Sequence, residues 1–215
     1  MSGSDMGNPV KNFDAEAASW DTAPRIERAR LVAGEIRRSI HLQKKWDALE
    51  FGSGTGLVGF NLADDLGSIT MLDSSAGMIA EAKRKVGELG AKNVSALHAE
   101  IGTLAEEDRR FDFIFSSMAL HHIPDTAGII RTFRRLLRPG GILCVVDLDT
   151  VDPAFHGSES GFDGHHGFSR KELADVLTEN GFCSCESHTF FRDTKKKEGG
   201  DVPYSLFLMS GTACC

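Results

Sequence analysis

A glycine-rich turn and a carboxylate about twenty residues beyond it are the features of this sequence best suited to binding a ligand. The turn follows Glu50-Phe51 and consists of Gly52, Ser53, Gly54, Thr55 and Gly56. Glycines let a ligand approach the backbone amides closely, and the N-terminus of a following helix favours an anionic group. Asp73 closes the next apolar run, and its carboxylate can accept hydrogen bonds from both hydroxyls of a ribose. This pair therefore predicts a nucleoside-type ligand with an anionic end.

The spacing of the glycines disfavours two common nucleotide sites. Counted from Gly52, a dinucleotide turn of the G-x-G-x-x-G type needs glycine at the position occupied by Leu57. The pattern G-x-x-x-x-G-K-[ST] does not occur, which excludes a P-loop in its usual form. An NAD-dependent oxidoreductase is therefore the less favoured alternative.

Short apolar runs alternate with helical segments and must position these residues. The runs that predict strands lie at 48–51, 68–72, 93–97, 111–115 and 142–146. Such alternation predicts right-handed β-α-β crossovers and a parallel sheet, whose ligands sit at the carboxyl ends of the strands. Two further runs, 182–191 and 204–209, have no helix between them and predict an antiparallel hairpin. The fold class is thus α/β: a Rossmann-like three-layer sandwich with a seven-stranded, mostly parallel sheet and a C-terminal antiparallel hairpin strand.

Composition limits the kinds of partner. With 215 residues the chain is long enough for one well-buried α/β domain. A net charge of -7 argues against a nucleic-acid partner, and no apolar run approaches the roughly 20 residues of a membrane span. Five scattered cysteines indicate free thiols in a reducing compartment, and no signal-peptide pattern opens the sequence, so we expect a cytoplasmic protein. The oligomeric state stays open.

Four segments in combination resemble class I S-adenosylmethionine-dependent methyltransferases, most closely the small-molecule group that includes the ubiquinone and menaquinone enzymes. They are the segments 50–56, 73–78, 111–122 and 136–141. The resemblance runs from about residue 46 to 148. It implies a disordered or appended tail at 1–12, a helical cap over the cofactor site at 13–45 and a methyltransferase domain at 46–212.

The resemblance also implies a cofactor site. The glycine turn would hold the methionine end of S-adenosylmethionine, with Glu50 balancing its ammonium group and Asp73 binding the ribose. Ser74 and Met78 would lie near the adenosine, and Ser116 near the sulfonium. Glu100 and Ile101 stand where the family contacts the adenine, although the family commonly has the shorter aspartate at the first of these positions. The residues implied are Glu50, Gly52, Ser53, Gly54, Gly56, Asp73, Ser74, Met78, Glu100, Ile101 and Ser116.

The implied reaction is transfer of a methyl group to a small organic acceptor, which leaves S-adenosylhomocysteine. In-line displacement depends mainly on alignment, so no catalytic side chain is obligatory. The tetrapeptide N/D-P-P-[YF] of enzymes that methylate amino groups of nucleic acids and proteins is absent, and the segment 116–119 stands in its place. A non-catalytic, cofactor-binding regulatory protein is the alternative from a different class.

Histidines are the candidates for acid–base work because their side chain titrates near physiological pH. His121 follows the fourth strand and is the candidate base, with a structural role as the alternative. The candidates for the acceptor pocket are Trp20, His122, His165 and His166. Trp20 stacks near the ligands or simply fastens its helix to the domain. A metal site at Asp147, Asp149, Asp152 and His156 is the rival for this loop, but no characteristic ligand spacing occurs, so we predict none.

Overall fold

Alternating strands and amphipathic helices build a doubly wound sheet in the computed structural model, which describes residues 9–108, 110–155, 164–196 and 200–214. The strands are β1 (Asp47–Phe51), β2 (Ser68–Asp73), β3 (Val94–His98), β4 (Phe111–Ser117), β5 (Leu137–Leu148), β6 (Phe182–Lys195) and β7 (Val202–Ala213). Their order in the sheet is β3-β2-β1-β4-β5-β7-β6. The first five strands are parallel, and β7 runs antiparallel to both β5 and β6. The predicted fold class is confirmed.

Seven α-helices connect and cover the strands within the described part of the chain. They are α1 (Pro9–Glu16), α2 (Ala23–Ser39), α3 (Leu57–Leu62), α4 (Ala76–Leu89), α5 (Ile101–Glu106), α6 (Thr126–Leu136) and α7 (Arg170–Glu179). Side chains fix several helix starts: Ser75 caps α4 by accepting from the Met78 amide, and Ser169 caps α7. None of these helices is both long enough and apolar enough to cross a membrane.

The core lies on both faces of the sheet because β4 is buried on both. Phe113 and Phe115 pack on the face that α2 covers, whereas Ile114 packs on the opposite face among residues of α6 and α7. This alternation follows from the two-residue period of a strand. Because β4 is packed on both faces, its register with β1 and β5 is fixed, and so is the position of the residues at its carboxyl end.

Two boundaries differ from the sequence prediction. The hairpin strands are longer than expected, since β6 and β7 pair from Phe182 to Lys195. The strand predicted at 142–146 begins earlier, at Leu137, so the segment 139–141 lies inside β5, where Leu137 pairs with Phe111 and Ile142 pairs with Phe113. Four residues of β5, 138–141, thus lie opposite the single residue Asp112 of β4, and this irregularity absorbs the Pro-Gly-Gly segment.

Candidate functional site

The predicted cofactor residues converge at the carboxyl edge of the central strands. In the sheet register, Phe51 of β1 pairs with Leu72 of β2 on one side and with Ser116 of β4 on the other. Glu50 and the glycine turn at the end of β1 therefore lie between Asp73 and Ser116. Chain positions that are separated by up to 66 residues meet here because parallel strands end at one edge.

The glycine turn needs its glycines for conformation and for space. Gly52, Gly54 and Gly56 all have positive φ, at +65°, +53° and +82°. A Cβ atom at Gly52 would overlap the Cβ of Ala119, which belongs to the loop after β4. The turn is therefore pressed against the loop after β4.

Replacing Gly52 with alanine is expected to lower the free energy of unfolding by about 2–4 kcal/mol, because it adds left-handed strain to a steric overlap. Gly87→Ala is the matched control, since Gly87 lies within α4 and a Cβ there meets nothing within 4 Å. That control should be neutral or slightly stabilising. Urea titration of the two variants measures the difference, and equal midpoints would contradict the assigned role of Gly52.

Three backbone amides of the turn are already hydrogen-bonded within the chain. The Ser53 amide donates to Leu72 O (3.0 Å), and the Gly56 amide donates to Ser53 O (2.8 Å). The Gly54 amide donates to Asp73 Oδ2 (2.7 Å). The turn is thus held rigidly against the end of β2, with these donors directed inward.

Asp73 holds two backbone segments at once. Its Oδ2 accepts from Gly54, and its Oδ1 accepts from the Ser75 amide at 2.8 Å. Burial raises the pKa of Asp73, and the two amide hydrogen bonds oppose that shift. Each carboxylate oxygen has a second lone pair. The side chain can therefore also accept hydrogen bonds from a diol.

Glu50 is a buried acid at the base of the site, with 2% of its surface exposed. Its Oε1 accepts from the Gly59 amide at 3.2 Å, whereas its Oε2 is buried with no hydrogen-bond partner among the described residues. Desolvation by burial raises the pKa of Glu50 from 4.5 to about 8. The carboxyl group is therefore mostly protonated at neutral pH. An unpartnered buried oxygen of this kind suits a cationic ligand group.

The residues implied for the adenosine side differ in burial. Met78 is fully buried, and its Sδ lies 3.9 Å from the position that a Cβ of Gly54 would occupy. Ser74 is partly buried, and its carbonyl oxygen lies 3.0 Å from His98 Nε2 at the end of β3. Glu100 is exposed at the start of α5, while Ile101 packs in the core. Met78 thus forms the wall beside the glycine turn, whereas the Glu100 side chain faces solvent.

A cavity of about 100 Å³ lies between the glycine turn and α2. It is smaller than the roughly 300–1,000 Å³ of a complete small-molecule pocket, so it represents one end of the site. Its lining residues are Trp20, Arg25, Arg28, Ala29, Val32, Glu50, Gly52, Ser53, Gly54, Thr55, Leu57, Val58, Ser117 and Met118. Trp20, predicted as a pocket residue, lies in this wall.

One face of α2 supplies four lining residues that the sequence analysis did not single out. Arg25, Arg28, Ala29 and Val32 follow the spacing i, i+3, i+4, i+7, which places them on one side of a helix. The spacing is present in the sequence, but apolar periodicity predicts only which side of a helix packs on the core. Arginines such as Arg25 and Arg28 are ordinarily solvent-exposed, and only the folded chain shows that they line the cavity beside the glycine turn.

The N-terminal segment is fastened over this edge of the sheet by two aspartates. Asp14 of α1 accepts from the Ser75 hydroxyl (2.6 Å) and from the Gly77 amide (2.9 Å). Asp21 accepts from the Thr55 hydroxyl at 2.5 Å and from Lys85 Nζ at 2.7 Å. The segment predicted as a cap thus contacts both the glycine turn and α4, and its helix begins at Pro9.

Aromatic contacts connect this N-terminal segment to the loop after β4. The Phe13 ring lies edge-on to Trp20 at 5.7 Å between centroids and edge-on to His122 at 5.4 Å. The His122 ring in turn lies 4.1 Å from that of His121. His122 is therefore part of the contact between the cap and the loop after β4.

His121 forms a buried pair with Asp147 at the end of β5. Its Nδ1 lies 2.6 Å from Asp147 Oδ1, and its backbone amide donates to Asp147 Oδ2 at 3.2 Å. Three percent of His121 is exposed, and it does not line the cavity. The pair holds the loop after β4 against β5.

The loop histidines contact the same region. The His165 amide donates to His121 O at 2.7 Å, and the His165 ring lies 3.0 Å from the Thr126 hydroxyl. The carbonyl of His166 accepts from the Val151 amide at 3.0 Å. His165 therefore links this loop to the start of α6, and both residues remain predicted pocket residues. His156 lies outside the described residues.

The carboxylates of the rival metal site are dispersed among other partners. Asp149 accepts from the hydroxyls of Thr189 (2.9 Å) and Ser205 (2.7 Å), and Asp147 pairs with His121. Asp152 accepts from the Ala154 amide at 2.8 Å. Over the ranges that the structure describes, no group of three potential ligands could hold a metal ion.

Comparison with known proteins places the central part of the chain in one class. Residues 48–141 match the family model described as a methyltransferase domain. The demethylmenaquinone methyltransferase of Listeria welshimeri is 28% identical over 134 residues, which cover 61% of this chain and 56% of that protein. The chain spans little more than half the length of the curated relatives it matches.

Solved structures agree with this class at the level of fold. A SAM-dependent methyltransferase from Aquifex aeolicus superposes with a TM-score of 0.66 at 17% identity, over 93% of this chain and 98% of that one. The DhpI–SAH complex has a TM-score of 0.64 at 25% identity, over 94% and 93%. Residues 48–141 thus match a methyltransferase domain, and the chain has the Rossmann-like fold of these structures. The resemblance drawn from the sequence motifs is confirmed.

Proposed function

We propose that this chain transfers a methyl group from S-adenosylmethionine to a small organic acceptor by in-line displacement. The observation that carries the proposal is the convergence of Glu50, the glycine turn and Asp73 at one sheet edge, inside the segment that matches the methyltransferase model. The DhpI structure, similar over nearly its whole length, holds SAH. The product of donor turnover is therefore the ligand to test first.

The donor site fits the polar groups that the chain presents. Asp73 accepts hydrogen bonds from the ribose hydroxyls, and Met78 packs near the adenosine. Ser74, Glu100 and Ile101 lie toward the adenine end. The glycine turn and Glu50 enclose the amino-acid end, and Ser116, whose buried hydroxyl has no partner among the described residues, lies toward the reacting centre. Two buried oxygens without a partner among the described residues, on Glu50 and Ser116, support a polar ligand site at this edge.

The chain's main contribution to the reaction is alignment. Bound S-adenosylmethionine supplies an electrophilic methyl group on a positively charged sulfur. Met118, held in a left-handed conformation with φ +56°, and Ser117 form the wall of the cavity at the end of β4. The glycine turn forms the neighbouring wall. Rigid walls of this kind hold donor and acceptor in a near-attack geometry.

His121 is the proposed base for acceptors that must lose a proton. Its Nδ1–H donates to Asp147 Oδ1, which makes Nε2 the basic nitrogen of the neutral ring. Asp147 is a positioning residue because it fixes the ring through both its side-chain and its amide contacts. His122, His165, His166 and Trp20 are proposed to enclose the acceptor.

An apolar cluster beside the cavity favours an acceptor with an apolar body. Leu148, Val151, Phe155, Val202 and Leu206 form it, and Met118 packs against it. The aromatic rings of Phe155 and Tyr204 lie 5.1 Å apart within this region. The relatives named demethylmenaquinone methyltransferase act, by that name, on demethylmenaquinone. We propose a ring-containing or otherwise apolar small molecule, with no nucleic-acid partner and a cytoplasmic location.

The proposal is tested by titrating the protein with S-adenosylhomocysteine and then assaying product release across a panel of apolar acceptors. We expect tight binding, and His121→Gln is expected to lower kcat with hydroxyl acceptors by about 10²–10⁴-fold while S-adenosylhomocysteine binding is retained. Unchanged kcat in that variant would remove His121 as the base.

The same experiments separate the alternatives. Tight binding without turnover across a broad panel would favour a cofactor-binding regulatory protein. A nicotinamide cofactor that raises the melting temperature, with no response to S-adenosylhomocysteine, would favour an oxidoreductase.

A further inference from the structure

The amino-acid end of the donor carries a carboxylate that needs a cationic or N–H partner. The sequence analysis assigned it to the amides of the glycine turn. In the folded chain the amides of Ser53, Gly54 and Gly56 donate to Leu72 O, Asp73 Oδ2 and Ser53 O. The helix that follows the turn, α3, has only six residues and so adds little dipole. These three amides are therefore already engaged, and the carboxylate gains from a cationic side chain nearby.

The Arg25 side chain is held beside the turn by Trp20. Its guanidinium carbon lies 3.7 Å from the centroid of the Trp20 ring, and its Nη1 donates to Trp20 O at 3.1 Å. The Trp20 Nε1 atom lies 3.8 Å from the position that a Cβ of Gly54 would occupy. The stacked guanidinium and the turn thus form adjacent walls of one cavity. A fixed guanidinium loses little side-chain freedom when it binds a carboxylate.

The charges around this cavity leave it positive. Arg25 forms an ion pair with Glu16 at 3.8 Å, and that group is more than half exposed, so the pair is weak. Asp21 is occupied by Thr55 and Lys85. Glu50 at the base is mostly protonated at neutral pH because burial raises its pKa. Arg28 adds a second positive charge to the lining and also interacts with the Tyr204 hydroxyl.

We propose that Arg25 binds the carboxylate of the donor's amino-acid end, opposite Glu50, which receives the ammonium group. This assignment rests on the proposed function. It gives the zwitterionic end of the donor one partner from each side of the cavity: a guanidinium from α2 and a carboxyl from β1. The glycine turn then leaves room for the amino-acid end because its glycines lack a Cβ, and the positive charge comes from Arg25 of α2.

The test compares two ligands that differ in the amino-acid end. S-adenosylhomocysteine carries the carboxylate, whereas 5′-methylthioadenosine shares its nucleoside but has no amino-acid group. Isothermal titration of Arg25→Gln should show S-adenosylhomocysteine binding weakened about tenfold to a hundredfold, with 5′-methylthioadenosine unchanged within about twofold. Arg30→Gln is the matched control, because Arg30 lies on the same helix, is well exposed and pairs only weakly with Glu27.

Each other outcome is decisive. An equal loss for both ligands would show that Arg25 acts by packing Trp20, which overturns the assignment. Unchanged affinity of Arg25→Gln for S-adenosylhomocysteine would overturn it as well. Failure of the unsubstituted protein to bind S-adenosylhomocysteine at all would instead remove the proposed function on which the assignment rests.

Discussion

Replacing Asp73 with alanine is expected to weaken binding of S-adenosylhomocysteine by about a hundredfold or more. The carboxylate is proposed to accept two charge-assisted hydrogen bonds from the ribose, each contributing about 1.5–3 kcal/mol. The substitution also frees the Gly54 and Ser75 amides, which Asp73 holds at 2.7 and 2.8 Å. Isothermal titration against the unsubstituted protein measures the loss.

A control variant separates the ligand contact from general damage to the fold. Asp175→Ala removes an exposed carboxylate that pairs with Lys171 on α7, on the surface and outside the cavity lining. It should leave binding unchanged. Asp73→Asn keeps the shape of the side chain but loses the charge and half of the acceptor capacity, so it should fall between alanine and the native residue. Equal affinity of Asp73→Ala and the unsubstituted protein would exclude Asp73 as the ribose ligand.

Glu50 is expected to make both stability and donor binding depend on pH. Its pKa is about 8 in the folded chain against an ordinary 4.5, so the folded state binds more protons than the unfolded state between these values. The free energy of unfolding should therefore fall as pH rises through this window, by at most about 1.4 kcal/mol per unit, and the contribution is complete below pH 4.5. Urea titrations from pH 5 to about pH 8.5 measure the slope.

Glu50→Gln is the matched variant because it removes the titration while retaining an acceptor for the Gly59 amide. The free energy of unfolding of this variant should not show the part of the decrease with pH that Glu50 causes. Comparing the two slopes is valid even if the substitution lowers the free energy of unfolding by the same amount at every pH. A parallel slope in the two proteins would show that Glu50 does not titrate in this range.

Donor binding should be coupled to the same proton. An ammonium group beside Glu50 favours the charged carboxylate, so binding at pH 7 should release about one proton per molecule of S-adenosylhomocysteine. Titration calorimetry in buffers of different ionisation enthalpy counts that proton. The Glu50→Gln variant should release none from this site and should bind the ligand about tenfold to a hundredfold more weakly. Equal proton release from both proteins would place the ammonium elsewhere.

The predictable part of the site consists of residues whose positions follow from strand ends. Glu50, the glycine turn and Asp73 were assigned from short-range pattern alone, because parallel strands deliver their carboxyl ends to one edge whatever their sequence separation. The closing hairpin was likewise predicted, since two strands without a crossover helix must run antiparallel. Its length was underestimated, because pairing beyond β5 depends on contacts such as that of Tyr204 with Phe155.

The unpredictable part consists of contacts between distant segments. The role proposed for Arg25 depends on Trp20, whose Nε1 lies 3.8 Å from the position that a Cβ of Gly54 would occupy, and no local pattern encodes that approach. The pairing of His121 with Asp147 joins the ends of two different strands and leaves His121 buried. From the sequence alone, either His121 or His122 could have taken this buried position.

The sequence by itself determined the strands and helices, the positions that need glycine and the acid after β2, since these depend on backbone conformation and on periodicity along the chain. Tertiary structure alone decided three properties: the inward engagement of the turn amides, the raised pKa of Glu50, and the face of α2 that meets the cavity. Each of these depends on which atoms from remote segments surround a polar group, because hydrogen-bond pairing and desolvation are set by neighbours in space.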